Sequence, residues 1–307
     1  MKQTRKNCTT GDPLPKWKFI LLLNVHGIIT IIALLGSYFV LRAFHKFRNL
    51  RTASNNILVS LSIADGLLAI PLILDIIQLS LKCTCGNPPC ILKPVGGTIT
   101  LFLLSVIVLH LSLMSSERFI AIKFALRYQA IVTKRRARIV SIVMWLWALV
   151  VIVAVPKVLQ RATGEELGKD CRVYIKSFQA VSMFLVPLLI ILCSYTYIFI
   201  VSYKQRQLVR EQGCDIPGMP TVKYHMKGAR TVAIVVALCL LSVIPMLAVT
   251  FLQVFFRELL EDCCDRKLLK QIFYDVAMFV NAICNPLIYG WKNEEFRNAF
   301  RKMLKCC

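Results

Sequence analysis

Long apolar runs separated by short polar segments form the main pattern of the sequence. An α-helix needs about 20 predominantly apolar residues to cross the hydrocarbon core of a bilayer. Seven runs reach or approach that length, at residues 19–41, 57–81, 95–116, 139–155, 178–202, 231–256 and 272–291. The pattern therefore predicts an all-α membrane protein, a seven-transmembrane helix bundle.

These runs divide the chain into three parts. Residues 1–18 are predicted to be a short extracellular N-terminus, 19–291 the transmembrane bundle, and 292–307 an amphipathic helix with a cytoplasmic tail. In the last part Phe296, Phe300, Met303 and Leu304 share one helical face, and basic residues surround the other. This segment is expected to lie on the inner leaflet.

Composition supports the membrane interpretation. Hydrophobic residues make up 57% of the chain and charged residues only 18%, which is more apolar surface than one soluble core of this length could bury. Residues 1–18 contain no apolar stretch that would form a signal peptide. The first span is therefore expected to direct insertion.

The positive charge indicates orientation. With the N-terminus outside, more than half of the 38 Lys and Arg residues fall on the inner side, in segments 42–51, 118–138, 204–230 and 292–305. The positive-inside rule then places the Arg118 end of the third span in the cytosol of a plasma-membrane, multi-pass protein. The net charge of +22 is interpreted as topology and attraction to anionic lipid, not as nucleic-acid binding.

Several residues are candidates for covalent modification. Asn7 begins a glycosylation sequon on the outer side, and Cys306 and Cys307 suit palmitoylation, with an unmodified thiol pair as the alternative. Seven of the 13 cysteines are outside, where disulfides form, and their pairing is left open. The outer candidates include Cys90, Cys171, Cys263 and Cys264.

Acidic residues within the spans mark polar sites. Asp65 lies near mid-membrane in the second span, where a carboxylate is costly and faces the protein interior. It is either a functional polar site or a structural hydrogen-bonding centre, and Asn281 and Asn285 of the seventh span are its candidate partners. Asp75 and Asp275 lie farther out, at a depth where they could receive a cationic ligand.

Prolines are predicted to kink four of the spans. A proline inside a helix removes one backbone N–H and frees a carbonyl, which opens a kink. The residues are Pro71, Pro156, Pro187 and Pro245, in spans two, four, five and six. Kinked helices of this kind form cavities and hinges.

Glu117 and Arg118 directly follow the third span, and the chain then continues into a strongly basic segment at residues 125–136. Together with residues elsewhere in the chain, this pair forms an ordered set of motifs. The set runs through Asp65, Glu117-Arg118-Phe119, Trp145, Pro187, Tyr195, Pro245 and Asn285-Pro286-Leu287-Ile288-Tyr289 before Phe296. In this order the chain resembles the rhodopsin-like (class A) G-protein-coupled receptors over nearly its whole length.

The resemblance implies roles for these residues. Arg118 would pair with Glu117 at rest and turn toward Tyr195 and a heterotrimeric G protein on activation. Asp65 with Asn281 and Asn285 would form a polar core that can hold a sodium ion. The remaining switch residues would be Pro245, Asn285, Pro286 and Tyr289. A bridge between Cys90 and Cys171 is also implied, and no other cofactor or metal is expected.

The basic loop at residues 125–137 is loosely similar to the corresponding loop of melanocortin and adenosine receptors. Asp75 resembles the acid that melanocortin receptors use for a basic peptide, whereas Thr100 stands where amine receptors place aspartate. The chain departs from the family at Ser37, at Ile107, and at Ser242-Val243-Ile244-Pro245, which lacks the usual tryptophan.

These observations predict a receptor that binds an extracellular ligand, a small molecule or short peptide, and activates G proteins around Arg118. The alternatives are a receptor-like membrane protein without G-protein signalling and a small polytopic transporter. An enzyme is not expected, because the four histidines are scattered without metal-ligand spacing and no phosphate-binding loop is present.

Overall fold

A computed structural model describes residues 16–85, 92–163, 169–212, 237 and 294–304. The regular structure in this part of the chain is helical. Five helical segments are long and apolar enough to cross a membrane: Ile20–Lys46, Ala53–Gln78, Pro94–Lys123, Lys134–Ala162 and Val173–Lys204. They correspond to the first five predicted spans, and we number them one to five. The predicted spans at 231–256 and 272–291 lie outside the described residues.

Several spans consist of more than one helical segment. The α-helices are α1 (Lys16–Lys46), α2 (Ala53–Leu67), α3 (Ala69–Cys85), α4 (Leu92–Lys123), α5 (Tyr128–Ile131), α6 (Lys134–Leu149), α7 (Val155–Thr163), α8 (Lys169–Ala180), α9 (Val186–Gln212) and α10 (Glu294–Leu304). Spans four and five also contain the π-helical segments Val150–Ala154 and Val181–Leu185.

Two spans extend beyond their predicted boundaries. The third span was expected to end at residue 116, but α4 continues to Lys123, so Glu117 and Arg118 lie inside the helix. The fourth was expected at 139–155, but the helical segment begins at Lys134, after Thr133 accepts a hydrogen bond from the backbone N–H of Arg136 at 3.3 Å. Basic residues continue both helices beyond the apolar pattern, so hydrophobicity alone misses those turns.

Three prolines in the interior of the described spans follow a helical distortion. Pro71 comes three residues after the turn at Leu68 that separates α2 from α3. Pro156 and Pro187 each come two residues after the end of a π-helical segment. Because proline cannot donate a backbone hydrogen bond, the preceding turn adopts another pattern. The predicted interruptions at these three prolines are confirmed, and Pro245 lies outside the described residues.

The distortion in span four leaves one carbonyl without a donor in its own helix. In an α-helix the Val155 N–H would bond to Val151, but here it bonds to Val150. The next residue able to close a π-type turn onto Val151 is Pro156, which has no N–H. The side-chain amide of Gln179 in α8 donates to the Val151 carbonyl at 3.0 Å. This bond links spans four and five.

Helix α4 lies at the centre of the described bundle. It contacts α2, α3, α6, α9 and both π-helical segments. Its fully buried side chains include Leu103, Leu104, Ile107 and Leu111. The central position of α4 carries Glu117 and Arg118 to a point where three other elements can reach them.

Helix α10 has the expected amphipathic pattern, and it packs its apolar face against α1. Phe296 is fully buried, and the ring of Phe300 meets those of Phe39 and Phe296 edge to face at 6.3 and 5.9 Å. Arg301 and Lys302 are exposed. The apolar face therefore has a partner in the bundle.

Candidate functional site

The site is built around the adjacent residues Glu117 and Arg118 near the end of α4. Arg118 Nε lies 3.2 Å from Glu117 Oε2, and the two side chains are 18% and 3% exposed. A nearly buried carboxylate is costly unless it is paired and hydrogen-bonded. The structure thus supports the pairing expected between these two residues, and it supplies further partners.

Ser54, near the beginning of α2, contacts both charged groups. Its hydroxyl accepts a hydrogen bond from Arg118 Nη2 at 2.8 Å and donates to Glu117 Oε2 at 3.4 Å. Thr52 positions this turn, because its side chain caps α2 by accepting from the backbone N–H of Asn55 at 3.2 Å. The sequence motifs do not include Ser54. The cap signal at Thr52 places Ser54 in the first turn of α2 but does not predict its contacts with span three.

Tyr128 supplies the second oxygen of Glu117 with a donor. Its hydroxyl donates to Glu117 Oε1 from the first residue of the short helix α5. Both carboxylate oxygens of Glu117 are therefore engaged, one by Arg118 and Ser54 and the other by Tyr128. Tyr128 lies in the basic loop after span three, and its contact with Glu117 was not predicted from the sequence.

Tyr195 of α9 completes the cluster. Its hydroxyl is buried and has no hydrogen-bond partner among the described residues. Ser115, Arg118 and Glu117 are its polar neighbours. Tyr195 and Arg118 are therefore neighbours in this structure, and the turn of Arg118 toward Tyr195 on activation stays a prediction. We call Ser54, Glu117, Arg118, Tyr128 and Tyr195 the switch cluster.

A second polar network joins spans two, three and four. Trp145 Nε1 donates to Ser60 Oγ at 3.0 Å, and Ser60 Oγ lies 2.9 Å from His110 Nε2. Because the Val106 carbonyl beside Nδ1 can only accept, the proton of the neutral ring is on Nδ1, and Nε2 accepts the Ser60 proton. Nδ1 then donates to the Val106 carbonyl at 2.8 Å. This role of His110 was not predicted, although a histidine within an apolar run is a recognisable signal of a buried polar contact.

The polar core expected at Asp65 is partly described. Asp65 is 3% exposed in α2, and the neighbouring Gly66 lies against span one. A Cβ atom on Gly66 would approach Ser37 Cβ and Oγ to 3.0 Å. The close approach explains why a small serine fits at position 37. It also places a hydroxyl beside the segment that carries Asp65.

Two of the outer ligand candidates lie near each other. Asp75 is half-buried in α3, and its Oδ1 is 3.9 Å from the position of a Cβ atom on Gly96 at the start of α4. A Cβ atom on Gly97 would have nothing within 4 Å. Thr100 is 4% exposed and donates to the Gly96 carbonyl at 3.0 Å. Asp75 therefore lies against the beginning of α4, and the Thr100 hydroxyl is engaged within its own helix.

The remaining candidate residues are not brought together by the described structure. Cys171 lies in α8 and is half-buried. The others lie outside the described residues, and their roles stay predictions: Asn7, Cys90, Pro245, Cys263, Cys264, Asp275, Asn281, Asn285, Pro286, Tyr289, Cys306 and Cys307.

Comparison with known proteins decides the family. The family model of the seven-transmembrane receptors of the rhodopsin family matches residues 36–289. The chain belongs to this family. The rhodopsin-family receptors are G-protein-coupled receptors, so the receptor interpretation is confirmed over the transporter alternative. The family is one of receptors, not of enzymes.

Individual receptors are similar to this chain over most of its length. The adenosine receptor A2a of Canis lupus familiaris is 27% identical, over 94% of this chain and 72% of its own length. The adenosine receptor A2b of Mus musculus is 29% identical, over 90% and 87%. The octopamine receptor beta-1R of Drosophila melanogaster is 26% identical, over 91% and 60%. The expected likeness to adenosine receptors is therefore present.

Proposed function

We propose that the switch cluster holds the receptor at rest and that its opening allows a heterotrimeric G protein to bind around Arg118. The observation that carries this proposal is that both carboxylate oxygens of Glu117 have polar partners. Arg118 and Ser54 contact Oε2, and Tyr128 donates to Oε1. Charge-assisted contacts of this kind are among the stronger polar interactions in proteins.

Activation would then exchange one set of partners for another. Arg118 leaves Glu117 and Ser54 and turns toward the buried Tyr195 hydroxyl, which has no hydrogen-bond partner among the described residues. Both arrangements use side chains already within one cluster, so the change requires rotation rather than refolding. An outer ligand and an inner partner that favour the second arrangement each raise the other's affinity.

The orientation proposed for the receptor has the N-terminus outside and the switch cluster at the cytosolic face of the plasma membrane. The basic residues near the cluster support it: Arg127, Lys134, Arg135 and Arg136 lie in the loop and first turn that follow α4. Positive charge of this density favours the cytosolic side and anionic lipid. In this orientation Asn7 is available for glycosylation, and α10, Cys306 and Cys307 lie at the inner leaflet.

We propose that the ligand, a small molecule or short peptide, carries a cationic group that Asp75 receives. The position of Asp75 beside Gly96, a residue without a side chain, supports this assignment. A carboxylate at this depth pairs favourably with an amine or guanidinium from which water has been removed. Asp275 stays a second candidate from outside the described residues.

The described residues around Asp65 fit a sodium ion poorly. Ile107, at the position that the family resemblance assigns to a sodium ligand, is apolar and fully buried. Ser105, another buried hydroxyl of α4, donates to the Leu101 carbonyl of its own helix at 2.7 Å. Within the described part of the chain, Asp65 alone at this depth offers a carboxylate, and we assign no step to sodium.

The test of G-protein coupling is nucleotide exchange by the full receptor in lipid nanodiscs with a panel of heterotrimeric G proteins. Exchange should be measurable with at least one G protein and should be lost in Arg118→Ala. Arg135→Ala, an exposed arginine outside the switch cluster, serves as the matched control and should retain it. Equal exchange in the wild type and in Arg118→Ala would refute the role of Arg118.

The test of the ligand class uses basic peptides and amines in parallel with neutral analogues of the same size. Cationic compounds should raise nucleotide exchange in the wild-type receptor and lose that effect in Asp75→Asn, which keeps the side-chain shape. A response that is the same in both proteins, or that is shared by the neutral analogues, would exclude Asp75 as the receiving group.

A further inference from the structure

The segment between α4 and α6 contains one helical turn, α5 (Tyr128–Ile131), which cannot satisfy its own last carbonyls. Arg136, in the first turn of α6, satisfies two of them. Its Nη1 donates to the Ala130 carbonyl at 3.0 Å and to the Ile131 carbonyl at 2.9 Å. The guanidinium therefore ties the end of α5 to the beginning of α6.

The other end of α5 reaches the switch cluster. Tyr128 is the first residue of this turn, and its hydroxyl donates to Glu117 Oε1. A four-residue turn is too short to be stable alone, so the position of Tyr128 depends on what holds the turn. A continuous path of hydrogen bonds thus leads from Arg136 through α5 and Tyr128 to Glu117.

We propose that Arg136 is a positioning residue for the switch: it holds α5 so that Tyr128 stays on Glu117, and it thereby favours the resting arrangement. This inference rests on the proposed resting role of the Glu117 and Arg118 pair. Loss of the Arg136 side chain loosens α5, withdraws Tyr128 from Glu117, and raises ligand-free activity.

The neighbouring residue provides a matched control. Arg135 is exposed and carries the same charge, and its side chain makes no hydrogen bond or ion pair in the part of the chain that the structure describes. The backbone N–H of Arg136 bonds to Thr133 Oγ1, and a side-chain substitution leaves this cap of α6 in place. Arg136→Gln and Arg135→Gln therefore remove the same charge, but only the first removes the contacts to α5.

The first experiment measures hydrogen exchange of the α5 amides in the full receptor in nanodiscs. The N–H groups of Ala130, Ile131 and Val132 bond to the carbonyls of Arg127 and Tyr128 at 2.8 to 3.1 Å. Arg136→Gln should speed their exchange about tenfold, a change equivalent to about 1.4 kcal/mol and within the range for hydrogen bonds of this kind. Arg135→Gln should leave it unchanged. Wild-type exchange in Arg136→Gln, or equal acceleration in both variants, would overturn the proposal.

The second experiment is a double-mutant cycle with ligand-free nucleotide exchange as the readout. If Arg136 acts through Tyr128, Arg136→Gln and Tyr128→Phe each raise exchange, and the double variant raises it no further. Effects that multiply, or no rise in Arg136→Gln, would overturn the proposal. Arg136→Lys keeps the charge but presents a single ammonium. In both experiments it should give values between those of the wild type and Arg136→Gln. It replaces Arg136→Gln if that variant does not fold.

Nucleotide exchange in Arg118→Ala and hydrogen exchange of the α5 amides in Arg136→Gln together separate this inference from the proposed function. If Arg118→Ala retains nucleotide exchange, the role of the switch cluster fails whatever Arg136 does. If α5 amide exchange is unaffected in Arg136→Gln while Arg118→Ala abolishes activity, the switch stands and the positioning role of Arg136 fails.

Discussion

Replacing Ser54 by alanine tests the resting arrangement most directly. The substitution removes a hydroxyl that bonds to Arg118 at 2.8 Å and to Glu117 at 3.4 Å, and it leaves both charged residues in place. Alanine keeps the Cβ atom of Ser54 and adds no other heavy atom, so the substitution causes no steric clash. The expected result is a rise in ligand-free nucleotide exchange.

The size of the rise follows from the two bonds. The bond at 2.8 Å joins the hydroxyl to a guanidinium, and a hydrogen bond to a charged group contributes about 1.5–3 kcal/mol. The bond at 3.4 Å is long, and we assign it no energy. If the active arrangement lacks the first bond, the ratio of active to resting receptor increases by roughly 10- to 150-fold, because each 1.4 kcal/mol is about a factor of ten.

The assay compares purified wild-type receptor, Ser54→Ala and Ser116→Ala in nanodiscs without ligand. Ser116 is the matched control, because it lies next to Glu117 but its hydroxyl donates to the Ser112 carbonyl of its own helix at 2.9 Å. Ser116→Ala should behave as the wild type. If Ser54→Ala does so too, or if it lowers exchange, Ser54 does not hold Arg118 in the resting arrangement.

Three further changes should alter stability. Ser60→Ala leaves the Trp145 indole N–H and its histidine neighbour without their partner, at about 1–3 kcal/mol for each group, and should lower the melting temperature in a thermal unfolding assay. Gln179→Leu removes the donor to the Val151 carbonyl and should destabilise the receptor by about 1–3 kcal/mol, whereas Gln179→Asn, one methylene shorter, should not restore it. Phe300→Ala removes two edge-to-face ring contacts, each worth about 0.5–1.5 kcal/mol, and should speed proteolysis in α10 without changing the melting of the bundle.

The sequence predicted the described spans because a membrane imposes length and hydrophobicity on each one. It placed the end of span three too early and the beginning of span four too late, since Lys123 and Lys134 extend these helices with charged residues that the apolar pattern excludes. The prolines predicted where distortions occur, but not their type. Whether a turn becomes π-helical depends on a partner such as Gln179, which lies in another span.

The switch cluster could be predicted only in part. Glu117, Arg118 and Tyr195 belong to a motif order that can be read along one chain. Ser54 and Tyr128 could not be found in this way, because their contacts join residues 63 and 11 positions from Glu117. Hydroxyl groups that complete a charged pair leave no periodic signal, and only the packing of α2 and α5 against α4 reveals them.

The Gln179 bond to Val151 has a consequence for how ligand contacts are mapped. Because the amide joins the π-helical segment of span four to α8, just before the π-helical segment of span five, a force applied to one of these helices is transmitted to the other. A substitution in α7 can therefore reduce a response whose ligand touches only α8. A functional scan of the outer half would identify the two helices together, and direct chemical crosslinking is needed to tell the contacted helix from the coupled one.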